Sequence, residues 1–125
     1  MRYLLDTHAV LWYFENSSKL SQKSGEIIDN PVNDIYVSAA SLWEAVIKIS
    51  LGKLDVSFDA LLNEIEKAGF YVLQTEVIYL LKLLDLPKVH RDPFDRLIIA
   101  TALVEGMTLI TIDENIQKYD VPWVW

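Results

Sequence analysis

Five short apolar runs, with longer stretches of helical periodicity between them, constrain this chain more than any other feature. The runs are Tyr3-Leu4-Leu5, Ile35-Tyr36-Val37, Tyr71-Val72-Leu73, Leu109-Ile110-Thr111 and Trp123-Val124. Between them the pattern predicts helices at His8 to Glu15, Ser18 to Asp29, Ser41 to Ser50, Phe58 to Ala68, Glu76 to Leu84, Pro93 to Glu105 and Glu114 to Tyr119. Gly52, Gly69 and Gly106 close three of these helices and Pro87 stops a fourth. Continuous apolar strands separated by helices belong in a parallel sheet covered on both faces. The expected fold is therefore α/β, a three-layer α/β/α sandwich around a central parallel sheet of about five strands.

Residues 1–125 read as a single domain, with no repeat, linker or low-complexity stretch. The chain is 52% apolar with four Trp, six Tyr and four Phe, enough to build a core and to exclude disorder. It has no cysteine, which excludes a disulfide scaffold, a thiol nucleophile and a Cys-ligated metal. The net charge of -7 argues against a passive nucleic-acid coat, because bulk phosphate binding needs positive potential. It is compatible with cutting nucleic acid through a metal ion, and it suits a basic partner. The apolar start is broken by Asp6 and His8, and no apolar run reaches the ~20 residues of a membrane span. The expectation is a soluble cytoplasmic protein with no membrane association.

In an open parallel sheet the chemistry lies beyond the carboxyl ends of the strands. Asp6 follows the first strand directly, and Asp113 follows the Leu109–Thr111 strand by one residue. Glu44 lies one turn into the helix after the second strand. Asp95 shares a helical stripe with Ile98, Ile99 and Ala102, so it is expected to point inward. Each acid also has a purely structural role open to it. Asp6 and Asp113 suit helix N-caps, and Asp92 before Pro93 is a strong cap signal. Asp95 could favour a helix dipole. Ser41 and Glu44 have capping-box spacing, and Glu44 could pair with Lys48 on a solvated face. Capping does not explain why four acids from four segments fall at one end of one sheet. Like charges that close raise each other's pKa, and a divalent cation relieves them. Oxygen-only ligands favour Mg²⁺ or Mn²⁺.

Four motifs together resemble the PIN domain, in particular toxin ribonucleases of the VapC type. They are Leu4-Leu5-Asp6-Thr7-His8, Ser38-x-x-Ser41-x-Trp43-Glu44, Asp92-Pro93-Phe94-Asp95-Arg96-Leu97-Ile98-Ile99-Ala100 and Leu109-Ile110-Thr111-x-Asp113. The resemblance runs from Met1 to Trp125 and rests on the order and spacing of the four. It implies a Mg²⁺- or Mn²⁺-dependent endoribonuclease, the toxin of a type II toxin–antitoxin pair. It also implies an RNA substrate, a cognate antitoxin and a homodimer. Carried over by position, the metal-binding and catalytic acids are Asp6, Glu44, Asp95 and Asp113. Asp6 and Asp95 are expected to bind the ion directly. Asp113 is expected to act through water or a second ion, and Glu44 to ligate or to orient the attacking water. Asp92, Thr111 and Ser38 are candidates to orient those ligands by hydrogen bonds.

His8, Lys48, Arg91 and Arg96, with Lys53, are candidates for the substrate rim, and Trp12 and Tyr13 for a partner-facing patch. A phosphatase using Asp6 as a covalent nucleophile is disfavoured, since the second acid expected two residues on is His8 here. A catalytically silent binding module and a DNA-directed nuclease on the same fold remain as alternatives, because nothing in the sequence reads the 2′-OH.

Overall fold

Leu4 and Leu5 are both fully buried, yet they pack into different cores. They lie on the first strand, β1 (Arg2–Leu5), where successive side chains point to opposite faces. The computed structural model describes all of residues 1–125. Its remaining strands are β2 (Asp34–Ser38), β3 (Tyr71–Leu73), β4 (Thr108–Ile110) and β5 (Trp123–Val124). Every pairing is parallel and the strand order is β3-β2-β1-β4-β5. Leu4 faces Tyr36 on one side and Leu109 on the other; Leu5 faces Val37 and Ile110.

Seven helices cover the sheet: α1 (Thr7–Phe14), α2 (Gln22–Asp29), α3 (Ala39–Ser50), α4 (Phe58–Lys67), α5 (Val77–Leu83), α6 (Pro93–Glu105) and α7 (Glu114–Gln117). Leu5, Val37 and Ile110 pack against apolar side chains of α1, α2, α3 and α4, including Val10, Ile28, Ala45 and Leu61. On the opposite face Leu4 and Leu109 pack against Ile98 and Ile99 of α6, Ile116 of α7 and the Tyr119 that follows it. The molecule is the three-layer parallel sandwich expected. Chain order turns back at β1: β2 and β3 lie to one side, β4 and β5 to the other. The crevice between the carboxyl ends of β1 and β4 is where such sheets place their chemistry.

Several helix starts differ from expectation. The second helix begins at Gln22, not Ser18, because Asn16 takes a left-handed conformation (φ 53°) and ends α1. The chain then turns, with the Ser17 hydroxyl accepting from Lys19 N, until Ser21 caps α2. The third helix begins at Ala39. Its cap is Ser38, whose hydroxyl accepts from Ala40 N at 3.1 Å. The expected Ser41–Glu44 capping box is thus not formed. Ser41 lies inside the helix, its hydroxyl buried without a hydrogen-bond partner. No helix is long and apolar enough to cross a membrane.

Candidate active site

Asp6 is the first residue after β1, and its burial follows from that position. Its backbone N–H still donates to Ile110 O at 3.2 Å, which draws it between β1 and β4. One carboxylate oxygen caps α1, accepting from Ala9 N at 2.7 Å. The other accepts from the Thr111 hydroxyl at 2.5 Å. The same hydroxyl accepts from Asp113 N at 3.0 Å, so Thr111 joins two acids from distant parts of the chain. Asp113 caps α7, accepting from Asn115 N at 2.8 Å. Burial pushes the Asp6 carboxyl up from its ordinary pKa; the Thr111 and Ala9 hydrogen bonds pull it down, and the Asp113 charge raises it again.

Asp95 lies in the first turn of α6, its side chain 17% exposed. Burial is the main cause that lifts its pKa to about 6, and the charges of Asp92 and Asp113 add to it. A hydrogen bond to His90 opposes the shift, with Nε2 standing 3.1 Å from Oδ2. The His90 Nδ1 lies 2.8 Å from the Tyr119 hydroxyl, which accepts from Arg96 Nη1 at 3.0 Å. The imidazole thus spans from the Tyr119 hydroxyl to the Asp95 carboxylate. Asp113 raises both Asp6 and Asp95, so the three acids form one electrostatic cluster across three segments of chain.

Glu44 meets this cluster through an intermediary. Its Oε1 accepts from the hydroxyl of Thr7, the residue after Asp6, at 2.7 Å. Its Oε2 lies 3.4 Å from Lys48 Nζ. The i,i+4 pair is therefore formed, but the side chain is only 15% exposed and does not sit on a solvated face.

Of the residues expected to orient the acids, only Thr111 touches one through its side chain on another element. Ser38 caps α3, and Asp92 caps α6 by accepting from Asp95 N at 3.0 Å. Among the rim candidates, His8, Arg91 and Lys53 are exposed. Lys48 pairs with Glu44, while Arg96 donates to Pro87 O at 2.8 Å as well as to Tyr119. Trp12 and Tyr13 are half-buried. Tyr13 packs on Phe14 and Phe70, and both Trp12 and Tyr13 line an open groove. Sequence reasoning missed Thr7, His90 and Tyr119. His90 had a readable signal, an imidazole five residues before Asp95 and just ahead of the Asp92-Pro93 cap. Tyr119 had none, since it meets His90 only through the fold.

As the side chains stand, no three acids or histidines converge closely enough to enclose a metal ion, each carboxylate being turned to a protein donor. The donor chemistry nevertheless fits a hard divalent cation. The groups are carboxylates, and Asp113 destabilises the charge on both Asp6 and Asp95.

The PIN domain family model matches residues 3–122. The chain belongs to the PIN domain family. No curated protein matches this PIN domain. Solved structures with the same fold do. VapBC2 from Rickettsia felis, bound to a DNA fragment from its promoter, superposes with a TM-score of 0.77 at 17% identity, over 99% of this chain and 98% of that one. VapBC-1 from nontypeable Haemophilus influenzae gives 0.64 at 21% identity, over 99% and 97%. A toxin–antitoxin complex from Klebsiella pneumoniae gives 0.65 at 16% identity, over 98% and 96%. This PIN domain therefore shares its whole fold with proteins solved in such complexes.

Proposed function

We propose that this PIN domain is a Mg²⁺- or Mn²⁺-dependent endoribonuclease of the VapC type, the toxin of a type II toxin–antitoxin pair acting in the cytoplasm. The observation that carries the reading is the gathering of Asp6, Asp95 and Asp113 at the carboxyl edge of the sheet, where burial above all, and the Asp113 charge to a lesser degree, raises both Asp6 and Asp95. Asp6 and Asp95 would hold the ion. Asp113 would support it through water, and Glu44 would ligate or orient the attacking water. A divalent ion held there supplies Lewis acidity, lowering the pKa of water and offsetting charge on the phosphoryl oxygens. Thr111 fixes the orientation of the Asp6 carboxylate, and His90 that of Asp95. Thr7, the residue after Asp6, and Lys48 hold the Glu44 carboxylate.

The partners follow the same reading. An antitoxin is supported by the likeness to solved toxin–antitoxin complexes and by the net charge of -7, which suits a basic segment closing the acidic crevice. A homodimer is supported by α5, where Val77, Ile78, Leu80, Leu81 and the following Leu84 are all exposed. Glu76 precedes this helix and Lys82 lies in its last turn, so two copies packed antiparallel would match charge to charge.

The reading is tested by cleavage of single-stranded and structured RNA with Mg²⁺, with Mn²⁺ and with EDTA, using wild type, Asp6→Asn and Asp95→Asn. Metal-dependent cutting lost in both variants is expected. Cutting that survives both would place the activity elsewhere, and folded, metal-loaded protein that cuts no RNA would favour a binding module.

A further inference from the structure

Beside the acidic cluster the molecule carries a short stack of rings. His8 is exposed in the first turn of α1, two residues beyond Asp6. Its imidazole stacks on Trp12, one helical turn on, with ring centroids 5.3 Å apart and planes 28° from parallel. Trp12 is braced edge-on by Trp125 at 5.9 Å. Trp125 follows β5, and Thr111 N donates to Val124 O at 3.1 Å, so the brace stands at the same sheet edge as Asp6. The Lys19 ammonium lies over the Trp12 ring, 5.8 Å from its centroid. Trp12 also borders an open groove of about 600 Å³, lined further by Tyr13, Asn16, Ser17 and Lys67. An exposed ring held flat by a second ring costs little ordering when it stacks, and every nucleobase offers a face to it. Duplex bases are already stacked and offer none.

We infer that His8, backed by Trp12 and Trp125, is a stacking platform for an unpaired nucleobase flanking the phosphate held at the acidic cluster. The inference rests on the nuclease reading and assigns His8 a base contact beside that site.

The test is binding, read by fluorescence anisotropy in Ca²⁺, of a labelled single-stranded RNA of mixed sequence, the DNA strand of that sequence, and the RNA duplex. His8→Ala is expected to weaken single-strand binding roughly tenfold or more, within the range set by losing one base–aromatic stack. His8→Phe keeps a ring and is expected to keep binding. Trp12→Leu, checked for folding by thermal unfolding, is expected to behave like His8→Ala. The DNA strand is expected to show the same dependence, because a ring face does not read the 2′-OH. Wild-type affinity in His8→Ala, equal binding of duplex and single strand, or no rescue by His8→Phe would each overturn the platform. Wild-type affinity in His8→Ala with loss of a co-purifying partner would give this face to the antitoxin instead. Cleavage in Mg²⁺, read separately, distinguishes the two failures. Ring-dependent binding without cutting removes the nuclease reading, and cutting with His8-independent binding removes the platform.

Discussion

The hydroxyl of Thr111 donates to the carboxylate of Asp6 at 2.5 Å across a sequence separation of 105 residues, and it accepts from the backbone of Asp113. One small side chain therefore sets the orientation of one acid and the position of another. Thr111→Val keeps the shape and removes both bonds. It is expected to lower Mn²⁺ affinity about 10- to 100-fold, the usual cost of losing a group that orients a ligand. Thr111→Ser is expected to retain most of it. Isothermal titration of both variants, with circular dichroism to check the fold, is the measurement.

Asp95 makes stability depend on pH in the direction opposite to a salt-bridged carboxylate. Its pKa is about 6 in the fold against 3.8 ordinarily, chiefly because it is buried. Between those values the folded protein holds a proton that the unfolded chain has released, so stability falls as pH rises through the window. Asp6 is shifted in the same direction. Asp95→Asn is expected to be no more stable than wild type near pH 4 and more stable near pH 7. Urea unfolding of both proteins at the two pH values checks the sign; a constant difference would contradict it.

A divalent ion that binds these carboxylates only in the native state would stabilise the fold by linkage. At a concentration one hundred times its Kd, linkage adds about 2.7 kcal/mol. That is expected to raise Tm by several degrees in Mg²⁺ or Mn²⁺ at neutral pH, with EDTA reversing the gain. Asp6→Asn, which keeps a good N-cap at α1, is expected to abolish most of it. Differential scanning calorimetry with and without ion makes the comparison.

On α5, Leu81 is 59% exposed with Val77, Ile78, Leu80 and Leu84 around it. Leu81→Asp adds a charge to that surface without touching the core. It is expected to convert a dimer into a monomer, as read by light scattering, with the fold retained by circular dichroism and the unfolding temperature lowered only by the lost subunit contact. A wild-type protein that is monomeric at micromolar concentration would remove the assignment of this face.

The elements and the acids were legible because they are written locally. Val37 and Ile110 lie in apolar runs short enough to be strands, and Asp92-Pro93 and Gly106 mark the two ends of α6. The inward placement of Asp95 followed from its spacing to Ile98, Ile99 and Ala102. Competition between neighbouring donors was not legible. Ser41 has capping-box spacing to Glu44, but the end of β2 leaves the Ser38 hydroxyl beside Ala40 N, and Ser38 is the cap. Nor could the sequence show that Arg96 is held by Tyr119 and Pro87 rather than free at a rim.

By itself, then, the sequence determined the class of fold, the succession of strands and helices, and which acids follow strand ends. Hydrophobic periodicity and capping act over a few residues, and a few residues suffice to read them. The tertiary structure decided the strand order β3-β2-β1-β4-β5, and with it that Thr111 meets Asp6 and that Asp113 acts on both Asp6 and Asp95. It also decided that Tyr119 orders His90 against Asp95. Those contacts join residues that no local rule relates. They exist because packing both faces of the sheet brings the carboxyl ends of β1 and β4 side by side.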